Sequence, residues 1–372
     1  MITATQNAQR LLTIDIFRGL TIALMILVNS QGNDAYHLIS HSDWNGCTLA
    51  DLVFPFFVFI LGVSLVFSLS KLLANDPAKQ LLIAKIIKRS TSIFLIGLFI
   101  NAFPYHFHFA TIRVFGVLQR IAICYFVASF LFLTTRIQTQ AIIMTALLIG
   151  YWLIMTCIPL PNYGINNLTP IGNVAAYLDR LTFSSPHLYG KIYDPEGILS
   201  TLPAIATALL GNLTGAWLIS EQSHHKKVQS ITAIGIVTVI LGWLWGLTFP
   251  INKALWTSSY VLYTGGLALL LFAFCYWIIE IKGWQKWAKP FEIFGLNAIA
   301  AYCLHVILIK ILAAIHIQNV NGSSENLRIY ITEQLFDWTN LANGQLLFGI
   351  FYVILWFFIL SIFYRKKIFI KI

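Results

Sequence analysis

Leu52-Val53-Phe54-Pro55-Phe56-Phe57-Val58-Phe59-Ile60-Leu61-Gly62-Val63-Ser64-Leu65-Val66-Phe67-Ser68-Leu69 carries no charge over a length sufficient to cross the hydrocarbon of a bilayer. Runs of the same kind recur from end to end, near 12–30, 50–70, 85–103, 114–134, 139–158, 198–219, 228–248, 256–279, 291–314 and 343–363. The chain of 372 residues is 58% hydrophobic and 10% charged. Soluble domains carry roughly 25% charged residues. The expected fold is therefore all-α and polytopic, with about ten transmembrane helices in one domain, 1–372. The first span is too long, and its flanks too polar, for a cleaved signal peptide.

The net charge of +10 has a sidedness. With the N-terminus placed in the cytoplasm, Arg10, Lys71, Lys79, Lys85, Lys88, Arg89, Arg136, Lys226, Lys227, Lys282, Lys286, Lys289, Arg365, Lys366, Lys367 and Lys371 fall inside, 16 of the 24 basic residues. Arg113, Arg180, Lys191, Lys253 and Arg328 fall outside, and Arg18, Arg120 and Lys310 lie within spans. This is the bias of the positive-inside rule, with both termini cytoplasmic. The basic excess reads as topology and calls for no nucleic acid. The five cysteines stand singly with no CxxC, which argues against zinc and redox sites.

Immediately before the quoted run stand His41-Ser42-Asp43-Trp44-Asn45-Gly46-Cys47-Thr48-Leu49-Ala50-Asp51. Polar chemistry at the mouth of a membrane helix is costly to keep and points to a site. Asn29, His41, Asp43, Asn45, Arg113, Gln119, Arg120, Asp194, Glu196, Asn252, Lys253 and His305 all fall at or near outer ends of spans. His41 is the candidate general base or nucleophile, because histidine alone titrates near neutrality without help. Asn29 is a candidate oxyanion donor or a helix C-terminal cap. Asp51 reads as the cap of the second span. Asp15 and Arg18, three apart on one helix face, read as a pair seating the first span. His106 and His108 alternate with aromatics, lack a third ligand and read as an interfacial belt, so no metal is expected. Sequons begin at Asn167, Asn212 and Asn321 and carry little weight. Two long connections, 159–197 and 315–342, fall outside. The first reads as an ordered cap and the second as holding a short amphipathic helix from Glu325 to Trp338.

Six blocks in order make the chain resemble the heparan-α-glucosaminide N-acetyltransferase family, over nearly the whole membrane portion. They are Thr13-Ile14-Asp15-Ile16-Phe17-Arg18-Gly19, His41–Pro55, Arg113-Val114-Phe115-Gly116-Val117-Leu118-Gln119-Arg120 and Tyr193-Asp194-Pro195-Glu196-Gly197-Ile198-Leu199. Asn252-Lys253-Ala254-Leu255-Trp256-Thr257-Ser258-Ser259-Tyr260-Val261 and Tyr364–Ile372 complete the set. The resemblance implies that His41 is the catalytic histidine and that Asn29 acts beside it, with acetyl-CoA as co-substrate and a homodimer as the assembly. The chain begins almost at the first shared span, without the lumenal domain of the animal enzyme. That favours a bacterial inner-membrane protein whose acceptor is a glucosamine-like amino sugar rather than heparan sulfate.

The expected reaction is acetyl transfer from cytoplasmic acetyl-CoA, threaded among the helices, to an amino sugar on the outer side. Asp43, Trp44, Asn45, Asp194, Glu196, Asn252, Lys253, Trp256 and His305 are candidate sugar contacts, and Asp15, Arg18, Asp51, Arg113, Gln119 and Arg120 are candidate supports. Two other readings use the same residues. One is an O-acyltransferase acting on a surface polysaccharide. The other is a sugar transporter or flippase, against which no inverted repeat is visible.

Overall fold

The computed structural model describes residues 11–32, 35–74, 79–105, 107–318 and 324–370. Arg10, His106, the sequon at Asn321 and Lys371 lie outside the described residues. The chain forms α1 (Leu12–Asn29), α2 (Leu49–Leu73), α3 (Lys79–Ala102), α4 (Val117–Thr134), α5 (Ile137–Cys157), α6 (Val174–Phe183), α7 (Thr201–Ile219) and α8 (His224–Gly246). There follow α9 (Ser258–Tyr276), extended by a π-turn over Trp277–Ile281, then α10 (Lys289–Leu296) and α11 (Ala298–Ala314). A small antiparallel pair, β1 (His316–Gln318) with β2 (Ser324–Asn326), leads into α12 (Leu327–Phe336) and α13 (Leu341–Arg365).

Among the described residues, eight helices are long and apolar enough to cross a membrane, and nine if α10 and α11 count as one broken span. The expected ten positions all hold helix, with two differences. The run at 85–103 falls on α3, a full-length helix that Lys79, Lys85, Lys88 and Arg89 make too polar in its first half to join the apolar set. The run at 291–314 is bent by 73° at Asn297. The amphipathic segment expected at 325–338 contains α12, and the connection at 159–197 contains α6. All five cysteines are free.

α2 and α7 are the most enclosed spans, and α8 and α5 the most peripheral. Small residues let the enclosed helices touch backbone to backbone. A Cβ on Gly62 would come within 2.1 Å of the Ala208 carbonyl oxygen, and one on Gly211 within 2.1 Å of that of Phe59. In lipid, where apolar side chains gain nothing by leaving solvent, such close approach is what holds helices together.

The start of α2 is built from its sequence. Thr48 and Asp51 form a capping box, as Thr-x-x-Asp allows. Pro55 has no N–H to give the carbonyl of Asp51 one turn earlier. The Tyr260 hydroxyl donates to that carbonyl at 2.5 Å, so the lost helix bond becomes a tie between α2 and α9.

Candidate active site

Asp51 does two things with two oxygens. Its Oδ2 accepts from Ser42 N–H at 3.1 Å, Ser42 Oγ at 2.9 Å, Thr48 N–H at 3.1 Å and Thr48 Oγ1 at 3.1 Å. Its Oδ1 is 2.8 Å from His41 Nδ1 and 3.4 Å from Lys253 Nζ. The carboxylate is fully buried, whereas the His41 side chain is 51% exposed. A carboxylate can only accept, so His41 carries its proton on Nδ1 and leaves Nε2 with a lone pair. Lys253 Nζ reaches that Nε2 at 3.2 Å. Its 2.9 Å approach to Nδ1 is not a second bond, because that nitrogen is already donating.

Lys253 is aimed by a strained turn. Asn252 Oδ1 accepts from Leu255 N–H at 2.8 Å, Thr257 N–H donates to Asn252 O at 3.1 Å, and Trp256 sits at φ 52°. A bulky residue in the left-handed region is a strained one, held here by its surroundings. Asn252 Nδ2 donates to Asn45 Oδ1 at 3.1 Å, and Gly46 N–H to Ile251 O at 2.7 Å, which clamps this turn onto the His41 loop. Burial pushes the Lys253 ammonium below its ordinary pKa, against the opposing pull of Asp51 and Glu196. Burial also raises the nearby Cys47 thiol to about 12, with Asp51 adding to the effect, so it stays protonated.

Asn29 ends α1, but the cap position belongs to Ser30, whose N–H donates to Ile26 O at 3.2 Å, while Gln31 N–H donates to Val28 O at 3.2 Å. The side chain is thus available, and its Nδ2 stands 3.2 Å from Nε2 of the buried His305. His305 Nδ1 donates to Ala301 O at 3.0 Å, so Nε2 must accept and the amide nitrogen must face it. One N–H of Asn29 remains for a ligand.

A cavity of about 460 Å³ joins these groups, with Asn29, His41, Asp43, Trp44, Asp51, Arg113, Glu196 and Lys253 in its wall. Tyr189, Tyr193 and Pro195 of the long connection also line it. Trp44 is held by Nε1 donating to Leu168 O at 2.9 Å and by an edge contact to Tyr193. Arg113 grips Asp194 through Nε at 2.8 Å and Nη2 at 2.6 Å, also bonds Glu196, and stacks on Tyr189. Burial opposes the Arg113 charge, yet the two carboxylates raise its pKa overall. Burial also raises Asp194, while for Glu196 the attraction of Arg113, Arg120 and Lys253 outweighs burial and keeps it ionised below its ordinary value.

Several candidate sugar contacts sit elsewhere. Trp256 is 1% exposed, bonds Thr207 Oγ1 through Nε1 and receives the Arg120 guanidinium on its face at 4.9 Å, so it supports the floor and offers no ring to a sugar. Asn45 and Asn252 clamp loops, Asp194 is covered by Arg113, and His305 lies behind Asn29. Gln119 and Arg120 are fully buried at the start of α4, with Arg120 bonded to Ser200. Asp15 and Arg18 do pair, at 3.4 Å, and Arg18 also bonds Ser64 Oγ at 2.6 Å and Gly295 O at 3.2 Å.

Arg18 belongs to a second cavity of about 360 Å³, together with Ser64, Ser68, Arg89 and Tyr125. The same four helices line both cavities. α1 gives Asn29 to the first and Arg18 to the second, α4 gives Val117 and Tyr125, and α11 gives Tyr302 and Ile299. Along α2 one turn, from Phe54 to Phe57, separates them. Sequence reasoning counted Arg89 only toward topology and took Lys253 for a sugar contact. No local signal brings either to its place.

The sequence profile described as heparan-alpha-glucosaminide N-acetyltransferase, catalytic, matches residues 10–244, which include Asn29, His41, Asp51, Arg113 and Glu196. The heparan-alpha-glucosaminide N-acetyltransferase of Mus musculus is 31% identical over 100% of this chain and 62% of its own length. That of Homo sapiens is 30% identical over 98% of this chain and 60% of its own. The chain thus spans about three fifths of the length of these curated relatives. On the profile and these identities, it belongs to the heparan-alpha-glucosaminide N-acetyltransferase catalytic family.

Proposed function

We propose that the protein is an integral-membrane N-acetyltransferase that moves the acetyl group of cytoplasmic acetyl-CoA to a glucosamine-like amino sugar on the other side of the membrane. The observation that carries this is the pairing of His41 with buried Asp51 in one cavity with Asn29, above a second cavity lined by the same helices. The sidedness of this reading rests on the charge bias, which supports the first cavity on the outside and both termini in the cytoplasm. Arg18 and Arg89 at the inner cavity suit the phosphates of the donor, whose thioester arm would pass the turn between Phe54 and Phe57.

In this reading the free amine of the sugar attacks the thioester carbonyl while His41 Nε2 takes its proton. Lys253 turns from Nε2 to Asp51 to free the lone pair, and Asp51 stabilises the resulting imidazolium. The free N–H of Asn29 donates to the tetrahedral oxyanion. The C–S bond then breaks, and the imidazolium returns its proton to the thiolate, giving CoA thiol and the N-acetyl sugar. An acetyl-histidine route differs in one testable respect, a covalent acetyl group on protein given acetyl-CoA without acceptor.

Mass spectrometry of purified protein incubated with acetyl-CoA and glucosamine, beside His41→Ala, tests the reading. N-acetylglucosamine from the parent alone supports it. Product from both removes His41 from its role, and acetylation of hydroxyl sugars only would make the protein an O-acyltransferase.

A further inference from the structure

The closing run that begins at Tyr364, singled out in sequence, has no part in the chemistry above, yet residues 364–370 return to the second cavity. α13 stops at Arg365, Lys367 takes φ 55°, and Ile368 N–H donates back to Phe363 O at 2.9 Å, which reverses the chain. The tail then meets the break between α10 and α11. Asn297 Nδ2 donates to Ile368 O at 3.1 Å, and Ile370 N–H donates to Asn297 Oδ1 at 2.9 Å. One side-chain amide thus satisfies the tail as a neighbouring strand would. Ile370 completes the wall of the cavity that holds Arg18 and Arg89.

Two observations bear on this attachment. Ile368, Phe369 and Ile370 each stay 42–43% exposed, so the tail is only partly enclosed. Asn297 also occupies the N-cap position of α11 without capping it. An asparagine there ordinarily accepts from the N–H of its own helix. If the tail leaves, Asn297 Oδ1 has that second partner at hand, so release exposes no orphaned acceptor.

We infer that residues 366–370 are a strap hooked on Asn297, and that its release opens the second cavity to the phosphate-bearing end of the acetyl donor. The donor half rests on the function proposed above, whereas the strap itself does not.

The test places a cysteine at the half-buried cavity residue Ser64 in the full chain and follows its modification by a negatively charged methanethiosulfonate. With Asn297→Ala, or with the chain ended at Lys367, labelling of Ser64→Cys should quicken about tenfold, as expected for loss of a local closing equilibrium. Native Cys124 and Cys275, buried in the bundle, should stay unlabelled and so report an intact fold. Equal rates with and without the strap would overturn the inference. Acetyl-CoA should slow labelling in the strap-free protein. Faster labelling without that protection would keep the strap and overturn the donor route beneath it.

Discussion

At the residue scale, the two oxygens of Asp51 separate folding from chemistry. Oδ2 serves the helix start through Ser42 and Thr48, and Oδ1 serves His41 and Lys253. Thr48→Ala should therefore lower stability by about 1 kcal/mol, the usual loss for a cap, and leave kcat nearly unchanged. Asp51→Asn should lower kcat by about 10² or more, because an amide neither fixes the tautomer of His41 nor stabilises its charged form. Thermal melts and product formation measured side by side separate the two effects. Asn29→Ala should lose about 10²–10³ in kcat with little change in KM, as for one oxyanion donor. A parallel rise in KM would mark Asn29 as a binding residue instead. His41, Asn29 and Asp51 were legible in the sequence because each is polar beside an apolar run. Lys253 was not legible as the neighbour of His41, since 212 positions separate them. Nor was the burial of Trp256, because an aromatic at a span end reads alike whether its backbone turns it outward or, as here, inward.

At the element scale, the long connection that helps line the first cavity carries carboxylates that are themselves buried. Asp179 on α6 accepts from Ile198 N–H at 3.0 Å, and burial raises its pKa from 3.8 to about 6, with Asp194 adding to the effect. The folded protein then holds this proton more tightly than the unfolded chain. The stability it contributes is complete below about pH 4 and is lost as pH rises through 6, a span worth on the order of 3 kcal/mol. Asp179→Asn keeps an acceptor without the charge, so its melting temperature should match the parent near pH 4.5 and exceed it near pH 7.5. A gap independent of pH would contradict this account of the cap. The contact of α2 with α7 is less forgiving. Gly211→Val sets side-chain atoms against the Phe59 carbonyl and should cost 1–3 kcal/mol or more, read as loss of folded protein on gel filtration. Helix positions were legible from apolar runs alone. The break at Asn297 was not, because asparagine disturbs an apolar run no more than other polar residues do, and the contacts of the bent pair with α1 are remote in sequence.

At the scale of the whole molecule, α1, α2, α4 and α11 each run from one cavity to the other. In the orientation proposed above, Arg18 and Arg89 stand at the end where cytoplasmic donor would arrive, and His41 at the end where it would not. A sequence read as spans shows which end each polar group occupies, but not that two hollow regions come within one turn of each other along α2. The central claim is that acetyl crosses between them, and vesicles test it directly. Reconstituted protein sealed around glucosamine, with impermeant acetyl-CoA added outside, should build up N-acetylglucosamine inside the vesicles, and His41→Ala should build up none. Product formed only when donor and acceptor share a compartment, or formed equally by His41→Ala, would contradict the account.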